Sequence, residues 1–233
     1  HFSLSVDEGQ LNSFVILGDT TEFNLRTLIA EDLQTKFKIN QLSTFFRWCQ
    51  QSMEFLGLNL QAGQTIISDT VLFRYENARS LNDFVSKVRI HANFNNTIID
   101  PKDLAHFAPY VERIEKPIQL SGLFNGRIEN FKLTRMKIDV GNTHLSGSMN
   151  MDGLPNINET FMVIDLRNSI VDPIDLSFLF NERTLSRLTP MGTLTMDGQF
   201  IGYPSDFVAN GNFSGSLGGV RSDINFKVNE EDF

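Results

Sequence analysis

The chain has 233 residues, 41% hydrophobic and 21% charged, with a net charge of −8. That composition folds around a core. It excludes nucleic acid and anionic lipid headgroups as electrostatic partners, because both call for clustered Lys and Arg. Phe dominates the aromatics, 21 against 3 Tyr and 1 Trp, and Phe lacks the polar handle that suits a wet recognition surface. The bias therefore points to a dry interior or an apolar groove. No apolar run approaches the ~18 residues of a spanning helix. His1 does not open a reading frame and no signal peptide is visible, so the chain reads as part of a longer protein.

From His1 to about Leu25 the pattern predicts short strands: Phe2, Leu4 and Val6 alternate, and Phe14–Leu17 precede the turn pair Gly18-Asp19. Residues 26–62 read differently. Ser43 or Thr44 can cap a helix whose apolar members Phe46, Cys49, Met53 and Leu56 fall at helical spacing, packed on a sheet. Cys49, the single cysteine, has no internal disulfide partner. Among aromatic neighbours it reads as a buried, inert thiol with a raised pKa.

After Gly63 the period drops to two. Val71, Phe73 and Tyr75 alternate, and Val88–Phe94 reads as a half-buried strand. A short helix follows, with Asp103 as its N-cap, Leu104, Phe107 and Tyr110 as apolar members, and Pro109 limiting its regularity. Asp175 takes the same part before Leu176–Leu188. Phe131/Leu133 and Met136/Ile138/Val140 are out of phase by one residue, which predicts a bulge between them. Gly141-Asn142 turns the chain, and Leu145, Gly147, Met149 and Met151 continue on one face. Then Phe207, Ala209, Gly211, Phe213, Gly215 and Leu217 alternate, a Gly218-Gly219 turn follows, and Val220, Ser222, Ile224, Phe226 and Val228 alternate again. One apolar and one wet face is the mark of an antiparallel meander. Glycines at 211 and 215 on the apolar face admit either a close-approaching group or sharp curvature, and curvature is the reading we take.

The chain repeats itself. Ile98-Ile99-Asp100-Pro101-Lys102-Asp103-Leu104 is echoed by Ile170-Val171-Asp172-Pro173-Ile174-Asp175-Leu176, and Leu120–Gly126 by Met196–Gly202. The division that follows is an N-terminal β/α part (1–80), a first β repeat unit (81–156) and a second (157–233). Asp100/Asp103 and Asp172/Asp175 are equally spaced carboxylate pairs. They are too few for calcium, which takes ~6–8 oxygens. Their occurrence once per repeat assigns them to turns and caps, Asp103 and Asp175 being the caps. His1, His91, His106 and His144 are scattered, and no HExxH, GxSxG, GxGxxG or phosphate-loop pattern is present. Catalytic, metal and cofactor residues are therefore assigned as none. Asn95, Asn158 and Asn212 open Asn-x-Ser/Thr sequons, relevant only to a eukaryotic secreted protein.

At the repeated segment the sequence resembles a known family. Asn95-Asn96-Thr97-Ile98-Ile99-Asp100-Pro101-Lys102-Asp103-Leu104-Ala105-His106-Phe107-Ala108-Pro109 is similar to the S-x-I-x-x-x-DL-x-x-FAP segment of AsmA/TamB-like proteins of Gram-negative bacteria. Leu120–Gly126 is similar to their LSGxxxG strand, and Gly141–Gly147 and Asp152–Pro155 to their G-x-T-x-L-x-G and GLP pieces. The resemblance is best over about residues 85–180. It implies the periplasmic region of an inner-membrane-anchored cell-envelope protein associated with outer-membrane biogenesis, whose folded-over sheet carries a greasy trough for lipid chains.

The fold class expected is mainly β: a repetitive, strongly curved antiparallel sheet, groove-like or sandwiched, with a few short helices. The function expected is non-enzymatic binding or conduction of phospholipid or other acyl chains. Phe131, Leu133, Ile138, Val140, Leu145, Met149, Phe207, Phe213, Leu217, Ile224 and Phe226 are the candidate liners. A rival expectation is an all-β scaffold whose open edge strands dock an outer-membrane protein partner. Lipid identity, oligomeric state and the choice between open groove and closed sandwich stay open at the level of sequence.

Overall fold

The computed structural model describes residues 4–33, 36–105, 114–177 and 182–227. His1, Phe2, His106, Phe107, Pro109, Tyr110 and Val228 lie outside them, as does the side chain of Phe226. The protein is mainly β, antiparallel and open. It divides into two compact units, His1–Ile128 and Glu129–Phe233.

The first unit holds β1 (Leu4–Leu17), β2 (Thr20–Asp32), β3 (Lys38–Cys49), β4 (Ser52–Ala62), β5 (Thr65–Arg74), β6 (Arg89–Ile99) and β7 (Ile118–Gly126), with short helices α1 (Phe84–Lys87) and α2 (Pro101–Ala105). Each strand pairs antiparallel with the next. The second unit holds β8 (Asn130–Val140), β9 (Thr143–Asp152), β10 (Phe161–Val171), α3 (Glu182–Leu188), β11 (Leu194–Tyr203), β12 (Asp206–Gly215) and β13 (Gly218–Lys227), paired in the same sequential way. Within each unit the spatial order is the chain order and no described pairing closes a barrel.

The helix expected around Phe46–Leu56 is instead the β3–β4 hairpin, turning at Gln50-Gln51. Phe46 pairs with Phe55 and Trp48 with Met53. Register irregularities at Ser43/Phe45 and around Gly57 shift the apolar phase, so a period of two passes for one of 3.6. The aromatic content of Phe45-Phe46-Arg47-Trp48 agrees with a strand. Two further expectations shift locally. The last hairpin turns at Ser216-Leu217, with Gly215 facing Gly218. The helix expected over 176–188 contracts, among the described residues, to α3 behind a turn at 173–176.

The bulge between Leu133 and Met136 forms, with Arg135 at φ 51°. It has counterparts at Gly57 (φ 59°) in β4, Asn96 (φ 52°) in β6 and Asn168 (φ 46°) in β10. A left-handed bulge in each even-numbered strand from β4 to β10 bends and twists the sheet locally. Arg pays a steric penalty in that conformation that Gly does not. Arg135→Gly is therefore expected to raise stability by about 0.5–1 kcal/mol, read as a higher urea midpoint at unchanged m-value.

Full burial is confined to a thin set of side chains. Val88 (0% exposed), Met136 (1%) and Leu133 (3%) are among the deepest. Among the described residues no phenylalanine is fully buried. A sheet dried on one side by a second layer would hide its Phe first, so the apolar surface here is incompletely covered, with Phe14 (55% exposed) and Phe161 (37%) the most open rings.

Candidate functional site: the apolar sheet face

In the second unit the register assembles the candidate liners on one face. Phe131 pairs with Met151, Met151 with Met162, Met162 with Gly202 and Gly202 with Phe207, in one row across β8–β12. The next row runs Leu133, Met149, Ile164, Phe200, Ala209 and Ile224. Beyond the bulge, Ile138 pairs with Leu145 and Val140 with Thr143 on that face. Phe213 joins it between Met196 and Val220. The face grades from buried at Met136 to open at Ile224 (39% exposed) and Val220 (55%). Phe226 pairs through its backbone with Phe207, extending the first row to β13. Leu217 is the exception: it sits in the turn, 76% exposed, and lines nothing.

The glycines on this face admit no ligand. A Cβ on Gly211 would lie 2.4 Å from the Asp197 carbonyl oxygen, and one on Gly198 2.1 Å from that of Asn210. They let the β11 and β12 backbones close on each other, which agrees with curvature. A shallow depression of about 550 Å³ among β10–β13 is lined mainly by reverse-face residues such as Thr195, Asp197, Asn212 and Arg221, and so is not part of the apolar face.

The first unit carries a face that the sequence reading missed. Phe14, Phe23, Phe46, Phe55, Phe73 and Phe84 form an unbroken run from β1 to α1, with successive ring centroids 6.2, 5.0, 5.0, 5.7 and 5.2 Å apart. These are offset and edge-on spacings at which aromatic pairs attract. The signal was available as Phe residues alternating with charges, but assigning Phe46–Leu56 to a helix scattered them.

Behind the rings, on the reverse face, lies a row of ions. Arg47 Nε donates to Glu22 Oε1 at 2.6 Å, Arg47 Nη1 to Glu54 Oε2 at 3.3 Å, and Arg74 Nη2 to Glu54 Oε1 at 3.1 Å. The Glu22 hydrogen bond, with the charges of Glu22 and Glu54, raises the Arg47 pKa.

The repeated Asp-Pro-x-Asp motif is a clasp, and the expected cap assignment moves by three residues. Asp100 Oδ1 accepts from Lys102 N at 2.8 Å, and Asp172 Oδ1 from Ile174 N at 3.0 Å, so these two hold the local turns. Asp103 reaches back to the β4–β5 turn, where Oδ2 accepts from Gln64 N (2.7 Å), Thr65 N (2.9 Å) and Thr65 Oγ1 (3.0 Å). Asp175 Oδ2 accepts from Asn142 N (2.6 Å) and Thr143 N (3.0 Å) at the β8–β9 turn. Thr65 Oγ1 accepts from Asp100 N at 3.1 Å and Thr143 Oγ1 from Asp172 N at 3.0 Å. The repeat unit is thus Gly-x-Thr plus Asp-Pro-x-Asp. Gly63 is required in it: φ is +59°, and a Cβ would lie 2.1 Å from Asp103 Oδ1.

Other reactive groups do not converge. Cys49 is half-buried rather than buried, and its pKa is lowered rather than raised, chiefly by the Ser52 hydroxyl 3.0 Å from Sγ. His144 Nδ1 lies 2.6 Å from Asp139 Oδ1 on the surface. Among the described residues no three His, Cys, Asp or Glu side chains are grouped for a metal ion.

Burial, then Arg89 and Arg74, lower the pKa of His91. The unfolded chain therefore takes up a proton at this residue before the folded one does. Stability is fullest above the unfolded value of ~6.5 and falls as pH drops below it. His91→Gln is expected to flatten the decline in melting temperature between about pH 7 and 5.

Compared with family models, with curated proteins and with solved structures, the chain matches none.

Proposed function

We propose that the chain is a non-enzymatic periplasmic module of an inner-membrane-anchored, AsmA/TamB-like protein of outer-membrane biogenesis, holding phospholipid acyl chains along its apolar sheet face. The observation that supports this reading is the incomplete burial of the phenylalanines, none of which is fully buried among the described residues: a continuous, partly open apolar surface gains stability when something apolar lies on it. Each acyl CH₂ buried contributes ~0.8 kcal/mol. A chain of ordinary length is therefore held without headgroup contacts, in keeping with the acidic composition and the scattered polar chemistry.

Native mass spectrometry of the purified chain, with organic extraction of what travels with it, tests the reading. The expected result is roughly stoichiometric phospholipid, lost from a folded Phe213→Glu, Phe55→Glu double variant. A lipid-free mass for a stable, cooperatively unfolding protein would falsify it.

A second reading has its own observation. β1 is a long edge strand with Val6 (57% exposed), Leu11 (53%), Phe14 (55%), Ile16 (63%) and Leu17 (68%) open to solvent. Such an edge suits strand addition by an outer-membrane protein partner. Ile16→Lys would abolish partner capture and leave lipid content unchanged.

A further inference from the structure

The second unit's apolar face also brings together side chains with a chemistry of their own. Met149 and Met151 stand on β9, two residues apart and hence on one face. Met162 on β10 is paired directly with Met151, and Met149 is paired with its neighbour Ile164. Directly opposed antiparallel side chains begin about 5 Å apart and diagonal ones about 7–8 Å. A methionine arm has three rotatable bonds. The register thus places the three methionines as mutual neighbours on one face, within the reach of their arms from one point above the β9–β10 seam.

The surroundings favour one kind of occupant. The other strand neighbours on this face, Phe131, Leu133, Ile164, Gly202 and Met136 (paired with Gly147 beyond the bulge, and 1% exposed), bring no side-chain oxygen or nitrogen. Asp152 and Asp165, the carboxylates of these two strands, alternate onto the reverse face. Met151 is 9% exposed, so bulk water is largely kept from that arm. Neutral thioether donors without a hard ligand disfavour Mg²⁺ and Ca²⁺, which take oxygen, and favour a soft cation such as Cu(I). We propose that Met149, Met151 and Met162 form a three-thioether site for Cu(I). Thioethers do not titrate, so binding is independent of pH across the range in which Cys and His sites lose their metal to protons. The site shares its face with the proposed acyl-chain surface, Met149 among its liners, but is argued from the methionine register alone.

The test uses Ag(I), a redox-inert probe of the same softness, on the full chain carrying Cys49→Ser to remove its thiol. The expected result is one bound ion by native mass at both about pH 7 and pH 5, with shifts confined to the methyl resonances of Met149, Met151 and Met162. Adding Met149→Leu, Met151→Leu and Met162→Leu should abolish binding. Met→Leu conserves volume at a cost below about 1.5 kcal/mol each, so the fold is expected to persist. Met53→Leu and Met196→Leu should bind as the parent does. No ion on the Cys49→Ser protein, binding lost at the lower pH, or equal binding by the triple variant would each overturn the proposal.

Discussion

Replacing Asp175 by Ala is expected to destabilise the second unit by about 3 kcal/mol, more than any other single loss of a polar group described above. Its carboxylate accepts from Asn142 N and Thr143 N, and both Asp175 (7% exposed) and Thr143 (0%) are buried. Removing the acceptor strands the buried Thr143 N, which water cannot easily reach, and loses the bond from the more exposed Asn142 N; hydrogen bonds to charged groups are worth ~1.5–3 kcal/mol each. Asp103→Ala breaks the equivalent clasp at a more exposed turn, where Gln64 N is satisfied by solvent, and about 1–2 kcal/mol is expected. Trp48, the single tryptophan, reports on the first unit. Hydrogen exchange of the β8–β9 amides is therefore the measurement to use. Equal or reversed losses for the two variants would show that the clasps do not hold their hairpins as described.

Gly198→Ala is expected to cost about 2–4 kcal/mol and to remove exchange protection from β11, β12 and β13, leaving β1–β7 unaffected. The added Cβ would sit 2.1 Å from the Asn210 carbonyl oxygen and 2.8 Å from Gly211 Cα. Both are backbone atoms, so no rotamer change relieves the overlap and the two strands must part. Gly9→Ala is the control. Its Cβ would meet Val6 Cγ1 at 3.6 Å and Leu28 Cδ1 at 3.9 Å, which is ordinary contact. It is expected to change stability by no more than about 0.5 kcal/mol. If Gly198→Ala is as mild as Gly9→Ala, close strand approach is not what these glycines provide.

The second unit was legible in the sequence because its last strands alternate cleanly and glycines lie at or beside several of its turns, as at Gly141, Gly153, Gly215 and Gly218. From Phe207 to Gly215 the apolar phase holds without a break, and the phase break at Arg135 announced its own bulge, whereas the one at Asn168 in β10 went unread. The first unit was less legible for the same physical reason inverted. Irregularities at Ser43/Phe45 and Gly57 spaced Phe46, Cys49, Met53 and Leu56 like a helix, and without cross-strand partners in view the aromatic content alone did not settle the period. The role of Asp103 was hidden more deeply. Asx chemistry predicts local caps, whereas its hydrogen bonds run to a turn 38 and 39 residues earlier. The motif was visible in sequence, but its target lies in a different hairpin.

The rings and the ions of the first unit are adjacent in sequence: Glu22 precedes Phe23, Arg47 follows Phe46, Glu54 precedes Phe55 and Arg74 follows Phe73. A slip of one residue between any two of these strands would turn a ring into the ionic row and a charge into the aromatic one. Both errors would occur at once, on opposite sides of the sheet. Each pairing thus carries its own proofreading. A long meander, whose strands otherwise resemble one another, is prevented from assembling out of step even while it is only partly folded.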